Sequence, residues 1–85
     1  MKVEIYGKPG CPYCERATEL CERRGYAYAY HDIKADPARY GEFIARTRGA
    51  QTVPQIFVAG VLVGGFTEFN KAVSEGAVDQ MLGGA

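Results

Sequence analysis

The chain has 85 residues, which is enough for one domain with a single hydrophobic core and too few for a second domain. Its ten basic and ten acidic side chains cancel, so no net charge attracts it to nucleic acid or to an anionic membrane surface. Three cysteines are an odd number, which makes a poor disulfide framework but suits a reactive pair with one further cysteine. We therefore predict that partners are recognised by a local site.

The N-terminal segment alternates charged and apolar residues. Val3 and Ile5 alternate with Lys2 and Glu4, and this pattern predicts a first β-strand that is followed by a loop from Gly7 to Gly10. The same charges interrupt the apolar stretch that a signal peptide or a transmembrane helix needs. We expect a cytoplasmic protein that binds no membrane.

A pair of cysteines, in the sequence Cys11-Pro12-Tyr13-Cys14, follows this strand and opens a segment of helical periodicity from Glu15 to Arg24. A cysteine at the start of a helix faces unpaired backbone N–H groups and the positive end of the helix dipole, and both stabilise its thiolate. With Cys11 as the N-cap, Pro12 takes the first helical position, which suits its fixed φ. Cys14 then lies one turn further on, close enough to form a disulfide with Cys11. The spacing predicts a redox site.

The segment after the cysteine pair predicts an amphipathic helix and then a strand. Apolar residues fall at helical spacing up to Gly25, which offers the C-cap. Cys21 lies on the apolar face and is expected to be inert core packing, because a free cysteine behaves as a small hydrophobic residue. Tyrosines then alternate with alanines from Tyr26 to Tyr30, which predicts a strand with a half-exposed tyrosine face that continues toward Ile33.

A second helix and a β-hairpin are predicted next. Asp36 and Pro37 supply an N-cap and a first helical residue, and helical spacing of apolar residues continues to the turn at Gly49. The run from Gln55 to Ala59 is apolar on both faces, which is typical of a buried central strand. Gly60 then turns the chain into a short partner strand, Val61 to Val63.

A third helical stripe begins at Phe66, is interrupted at Gly76 and resumes through Val78. The predicted order is therefore β-α-β-α-β-β-α. Strands joined through a helix are expected to be parallel with a right-handed crossover, and the final hairpin adds antiparallel strands. We predict an α/β fold with a four-stranded mixed sheet flanked by helices.

Three motifs lie at the ends of these elements: the cysteine pair after the first strand, Thr52-Val53-Pro54-Gln55 before the third, and Gly64-Gly65-Phe66 after the fourth. With them the chain resembles, nearly end to end, a glutaredoxin of the thioredoxin fold, as a single domain over residues 1–85. The resemblance implies a glutathione-dependent thiol–disulfide oxidoreductase with Cys11 as the nucleophile and Cys14 as the resolving thiol. It also implies a cis peptide bond between Val53 and Pro54, which leaves the Val53 backbone free to pair with an extended ligand.

The resemblance further implies that glutathione binds as a co-substrate, with no metal. The residues that it assigns to glutathione are Lys8, Tyr13, Thr52, Val53, Pro54, Gly65, Thr67 and Glu68. Lys8 would also lower the pKa of the Cys11 thiol, because a nearby cation favours the thiolate. Free N–H groups at the start of the third helix would hold the γ-glutamyl carboxylate. Glutaredoxins usually have aspartate where this chain has Glu68, and often a basic residue where it has Gln51.

The partners implied are glutathione and glutathionylated or disulfide-containing proteins, with ribonucleotide reductase as a candidate, for a monomeric enzyme that binds no nucleic acid. Two other functions stay open: a thioredoxin-like redoxin reduced by a flavoprotein, and an iron–sulfur scaffold that shares a cluster through Cys11. A zinc site is a third interpretation of the cysteine pair, with Cys21 and His31 as the only further candidate ligands. His31 is expected to make a surface hydrogen bond and is given no role.

Overall fold

The structure is a computed structural model that describes residues 2–83. Its elements in chain order are β1 (Val3–Gly7), α1 (Pro12–Arg24), β2 (Tyr28–Asp32), α2 (Pro37–Thr47), β3 (Gln55–Val58), β4 (Val61–Gly64), α3 (Phe66–Ser74) and α4 (Ala77–Met81). The third helical stripe is split into α3 and α4 at Gly76, which has a φ of 80°. The predicted interruption is thus confirmed, and it adds a short final helix to the predicted order.

The four strands form one mixed sheet in the order β2-β1-β3-β4. β1 pairs with β2 in parallel, with Val3 opposite Tyr28 and Gly7 opposite Asp32. β3 is antiparallel to both β1 and β4. The parallel pair is joined through α1, as a helical crossover requires. The predicted fold class is confirmed.

The alternation of side chains along β1 divides the core into two parts. Val3 and Ile5 lie on one face and pack with buried residues of α1, α3 and α4. Tyr6 lies on the opposite face, where it packs with Phe43 of α2 and with Phe57 of β3. The sheet therefore carries α1, α3 and α4 on one face and α2 on the other.

The ends of the first two helices follow the local signals in the sequence. Cys11 is the N-cap of α1 and Gly25, with a φ of 72°, ends that helix. The Asp36 side chain accepts a hydrogen bond of 3.0 Å from the N–H of Ala38 at the start of α2. Arg48 ends α2 in the left-handed conformation, with a φ of 59°, one residue before the predicted turn.

Four predicted strand boundaries are wrong. β1 continues to Gly7, because its carbonyl accepts a hydrogen bond of 3.0 Å from the N–H of Ile33 next to β2. β2 begins at Tyr28 and not at Tyr26, because the N–H of Tyr26 still donates to the carbonyl of Cys21 at the end of α1. β3 ends before Ala59, because that residue has a φ of 51° in the hairpin turn. β4 continues to Gly64 and does not end at Val63, because Gly64 is the register partner of Ile56 in β3.

Candidate active site

The cysteine pair lies where β1 ends and α1 begins. Cys11 and Cys14 are joined by a disulfide, with their Cα atoms 5.2 Å apart. The N–H of Cys14 points at the Sγ of Cys11 across 3.2 Å, so a helix N–H group faces this sulfur as the sequence predicts. Cys11 is 8% exposed and Cys14 is fully buried. A partner therefore reaches the sulfur of Cys11 first.

The loop before β3 lies beside this disulfide. The peptide bond between Val53 and Pro54 is cis, as predicted. The Sγ of Cys11 lies 3.9 Å from the carbonyl oxygen of Val53. The loop is supported by the amide of Gln55, which donates a hydrogen bond of 3.2 Å to the carbonyl of Thr52. The main chain of this loop thus runs next to the reactive sulfur.

A small groove of about 170 Å³ lies on one side of the loop. Its lining residues are Tyr13, Thr52, Val53, Pro54, Gly65, Phe66, Thr67 and Glu68. Apart from Lys8, every residue that the sequence assigned to glutathione is among them. The groove also includes Phe66, which is half-buried because it packs against the core on one side and forms part of the groove wall on the other.

A large groove of about 750 Å³ lies on the other side, between the active-site loop and α2. It is lined by Lys8, Gly10, Cys11, Pro12, Ile33, Tyr40, Phe43, Ile44, Gly49, Ala50, Gln51, Thr52 and Val53. Thr52 and Val53 line both grooves, and Cys11 borders this one. The structure thus brings all the predicted site residues together, with Lys8 on the opposite side of the loop from the others.

Comparison with known proteins agrees with this geometry. The sequence profile of the glutaredoxin family matches residues 3–63. The chain belongs to the glutaredoxin family. Glutaredoxins are thiol–disulfide oxidoreductases, and the cysteine pair at a helix N-terminus supplies the nucleophile that this activity requires.

Bacterial glutaredoxins are among the similar proteins. Glutaredoxin 1 of Escherichia coli is 38% identical over 81 residues, which cover 88% of this chain and 95% of the relative. Glutaredoxin 3 of the same organism is also 38% identical, over 80 residues that cover 94% of this chain and 95% of the relative. The solution structure of glutaredoxin from Brucella melitensis has a TM-score of 0.77 and 39% identity, and the match covers 96% of this chain and 88% of that one.

The fold extends to plant glutaredoxins. The crystal structure of a buckwheat glutaredoxin–glutathione complex has a TM-score of 0.81 at 24% identity. The match covers 96% of this chain and 76% of the buckwheat chain. This likeness confirms the thioredoxin-like fold.

Tyr13 is the most exposed large aromatic side chain at the glutaredoxin site, at 52%. Its ring centroid lies 5.9 Å from that of Phe66. On the same ring the guanidinium carbon of Arg16 lies 4.9 Å from the centroid. These contacts orient the ring along the small groove. Sequence reasoning missed Arg16, although its spacing of three residues from Tyr13 on one helix predicts a contact.

Glu68 makes a contact that the sequence analysis did not anticipate. Its Oε1 accepts a hydrogen bond of 2.9 Å from the N–H of Gly65, the N-cap residue of α3. This is the half of a capping box in which the third helical residue reaches back to the N-cap. The spacing of three residues between Gly65 and Glu68 is the sequence signal for this capping contact. The carboxylate lies at the N-terminal end of α3, where it borders the small groove.

Cys21 and His31 were given no role in the redox chemistry. Cys21 is fully buried, as predicted, and burial, together with the charge of Glu22, raises the pKa of its thiol to about 11. His31 makes a hydrogen bond as expected, but the expectation that it lies at the surface is wrong. Its side chain is only 11% exposed, and its Nε2 lies 3.4 Å from the Glu4 carboxylate, because β2 places it against the ring of Tyr6 under α2.

The structure also bears on membrane and metal sites. No helix within residues 2–83 is long and apolar enough to cross a membrane. Over the same residues, no three His, Cys, Asp or Glu side chains are grouped so as to hold a metal ion.

Proposed function

We propose that this glutaredoxin reduces protein–glutathione mixed disulfides and protein disulfides, with glutathione as the reductant. The observation that carries the proposal is the position of Cys11. Its sulfur faces a helix N–H group and lies beside the carbonyl of Val53, in the loop that separates two grooves. One groove suits the glutathione half of a mixed disulfide, and the other leaves room for the protein half.

For a glutathionylated protein, one cysteine is sufficient. The Cys11 thiolate attacks the glutathionyl sulfur, the mixed disulfide breaks, and the protein sulfur leaves as a thiolate. A second glutathione thiolate then attacks the glutathionyl sulfur on Cys11. Glutathione disulfide is released, and Cys11 returns to the thiolate.

For a protein disulfide, both cysteines take part. Cys11 attacks one sulfur of the substrate, and Cys14 then attacks Cys11 and releases the substrate as a dithiol. The Cys11–Cys14 disulfide that remains is reduced by two glutathione molecules. Glutaredoxin potentials of about −200 to −230 mV lie near that of the glutathione pool, so the reaction runs in either direction.

The small groove is the proposed glutathione site. Thr52 and Val53 offer an extended main chain to the ligand, and Tyr13 offers a ring face. At the far end of the groove, the N–H groups of Thr67 and Glu68 lie in the first turn of α3, where they can donate hydrogen bonds to the γ-glutamyl carboxylate. Pro54 and Gly65 complete the walls. Lys8 lies outside this groove, in the large groove with Cys11, and is the proposed cation for the thiolate and for a glycine carboxylate that reaches past Cys11.

Two other functions are less well supported. A redoxin reduced by a flavoprotein has no need of a groove that ends at the start of α3. An iron–sulfur scaffold needs a mobile active-site turn, whereas Pro12 stiffens this turn at the first position of α1. We propose a monomeric cytoplasmic enzyme whose disulfide substrates include ribonucleotide reductase, and which binds neither nucleic acid nor membranes. Its relation to bacterial glutaredoxins supports this proposal.

Single substitutions of the two cysteines test the two routes. We expect Cys11→Ser to abolish the reduction of both a glutathionylated peptide and a protein disulfide, because Cys11 is the sulfur that a partner reaches. Cys14→Ser is expected to retain most activity on the glutathionylated peptide and to lose activity on the protein disulfide. Both rates are measured with glutathione as the reductant. Cys21→Ala serves as the control, because it removes a buried thiol with a raised pKa.

The outcomes separate the alternatives. Substantial activity of Cys11→Ser would exclude Cys11 as the nucleophile. An equal loss of both activities in Cys14→Ser would show that Cys14 does more than resolve mixed disulfides. Turnover with a flavoprotein reductase and not with glutathione would favour the redoxin function, and visible absorbance after anaerobic purification would favour the cluster scaffold.

A further inference from the structure

The side chain of Tyr30 extends from β2 into the active-site region. Tyr30 is the register partner of Ile5 in the parallel pair, two residues before β1 reaches Gly7. Its hydroxyl donates a long hydrogen bond of 3.3 Å to the carbonyl of Lys8, in the loop that leads to Cys11. The end of this side chain therefore lies next to the loop that carries the cysteine pair.

Gly7 provides the space that the Tyr30 hydroxyl occupies. A Cβ atom placed on Gly7 would lie 2.9 Å from the Sγ of Cys14 and would collide with the Tyr30 hydroxyl. The hydroxyl and the buried sulfur therefore border the same small space, which is open only because residue 7 has no side chain. A larger residue at this position would separate the two groups.

Cys14 needs such a neighbour more than Cys11 does. The N–H of Cys14 points at the Sγ of Cys11, so this helix donor supports the nucleophile and not the resolving sulfur. A buried thiolate without a hydrogen-bond donor is costly, because it has lost its contact with water. Tyr30 is 39% exposed, and partial desolvation, then the charges of Asp32 and Glu15, raise the pKa of its hydroxyl. The phenol therefore keeps its proton at neutral pH and remains a donor.

We propose that the Tyr30 hydroxyl stabilises the thiolate of Cys14 when the Cys11–Cys14 disulfide opens. The proposal deepens the dithiol route and rests on the proposed function. A glutathione thiolate attacks the Sγ of Cys11, a new disulfide forms between them, and the Cys11–Cys14 bond breaks. The electron pair of that bond stays on the Sγ of Cys14. The hydroxyl turns from the Lys8 carbonyl to this sulfur, and no proton needs to be transferred.

The same contact assists the reverse step. When Cys14 attacks a mixed disulfide on Cys11, only its thiolate reacts, and a hydrogen bond that lowers the pKa of Cys14 raises the fraction of thiolate at neutral pH. The route through Cys11 alone never forms a Cys14 thiolate as a reactant or a leaving group. Tyr30 is thus expected to affect the reduction of protein disulfides and not deglutathionylation by Cys11 alone.

The test replaces Tyr30 by phenylalanine, which removes only the hydroxyl. The matched control is Tyr28→Phe, because Tyr28 lies two residues earlier on the same strand and donates its hydroxyl to Glu22 of α1. We expect Tyr30→Phe to slow the reduction of a protein disulfide by about three- to tenfold. In a Cys14→Ser background, Tyr30→Phe should leave the rate on a glutathionylated peptide unchanged. Tyr28→Phe should alter neither rate.

A second measurement reads Cys14 directly. In a Cys11→Ser, Cys21→Ala background, Cys14 is the remaining thiol, and its ultraviolet thiolate absorbance gives its pKa. Tyr30→Phe is expected to raise this pKa by about one unit, as the loss of one hydrogen bond to a charged group predicts. Tyr28→Phe is expected to leave it unchanged.

An unchanged pKa of Cys14 in Tyr30→Phe would overturn the proposal, and so would an equal slowing of both reactions, which would indicate a structural role. Either result would leave the proposed function intact as long as Cys14→Ser still separates the two activities. If Cys14→Ser failed to separate them, the dithiol route itself would be wrong.

Discussion

The carboxylate of Glu68 has both a structural contact and a place in the proposed ligand site. It caps α3 through the N–H of Gly65, and it borders the groove proposed for glutathione. Glutaredoxins usually have aspartate at this position, which has the same charge on a side chain shorter by one methylene. The charge of Glu68 and its place at the start of the third helix could be predicted from the sequence. The hydrogen bond that orients it depends on how the chain turns at Gly64, where φ is 121°.

Substitution of Glu68 measures its share in ligand binding. If its carboxylate pairs with the amino group of glutathione, Glu68→Gln removes a charge-assisted hydrogen bond worth about 1.5–3 kcal/mol, so KM for a glutathionylated peptide should rise by about tenfold or more. Glu68→Asp should match or improve on the natural protein. Glu75→Gln is the control, because it makes the same change of charge at the other end of α3. An unchanged KM in Glu68→Gln would leave the glutamate with the capping role alone.

Cys21 tests the opposite case, a thiol that contributes packing only. Cys21→Ala should lower the free energy of unfolding by about 1–2 kcal/mol, because it opens a cavity in the buried core cluster to which Cys21 belongs. Activity should be nearly unchanged. Urea unfolding and thiol labelling of the reduced native protein provide the measurements. Rapid labelling of Cys21 at neutral pH would contradict its burial.

At the scale of elements, α2 is fixed to the sheet by Arg46. Its guanidinium donates two hydrogen bonds of 3.1 Å to the Glu4 carboxylate and one of 2.8 Å to the Tyr6 hydroxyl. It also lies over the ring of Phe57, with its central carbon 3.9 Å from the centroid. Because α2 forms one wall of the large groove, these contacts hold that wall against the sheet.

The pair of Arg46 and Glu4 makes stability depend on pH. The hydrogen bonds from Arg46 lower the pKa of Glu4 below its ordinary value of 4.5 in spite of partial burial. A lowered carboxyl pKa stabilises the fold above the pKa of the unfolded chain, and that stability is lost as the pH falls through the folded pKa. We expect Glu4→Gln to cost about 1–3 kcal/mol near neutral pH. The cost should disappear well below pH 4.5, where Glu4 is protonated in both states.

Urea unfolding of the natural protein and the variant across this pH range provides the measurement. Glu19→Gln is the control, because Glu19 is an exposed carboxylate on α1. A difference between the natural protein and Glu4→Gln that persists at the lowest pH would show that the ion pair is not its cause.

Local signals explain why the elements were largely predictable. The caps of α1 and α2 depend on residues that adjoin the helices, namely Cys11, Gly25 and Asp36. The start of β2 was missed because the N–H of Tyr26 donates a hydrogen bond to the end of α1. Neither the alternation of tyrosines nor their β-propensity predicts such a hydrogen bond. The left-handed conformation of Ala59 was missed because alanine carries no signal for positive φ.

At the scale of the whole molecule, the active site lies at the end of the sheet where α1 and α3 begin. The cysteine pair, the cis-proline loop and the start of α3 each follow or precede a strand, so the topology brings them together. The motifs in the sequence were therefore sufficient to predict every member of the small groove except Phe66. They were insufficient for the large groove, because its wall depends on contacts between Arg46 and β1, which are distant in the sequence.

The helix N–H that faces the sulfur of Cys11 also has a thermodynamic consequence. Consider a contact that stabilises the thiolate of the folded protein more than it stabilises the disulfide. The difference between these two stabilisation energies shifts the equilibrium between disulfide and dithiol toward the dithiol by the same free energy. The N–H of Cys14, which lies 3.2 Å from the Sγ of Cys11, makes such a contact, because a hydrogen bond to this sulfur becomes stronger when the sulfur is a charged thiolate. The hydrogen bond that favours the Cys11 thiolate therefore also makes the disulfide a better oxidant. The kinetics and the redox equilibrium of this site cannot be tuned independently through that one bond.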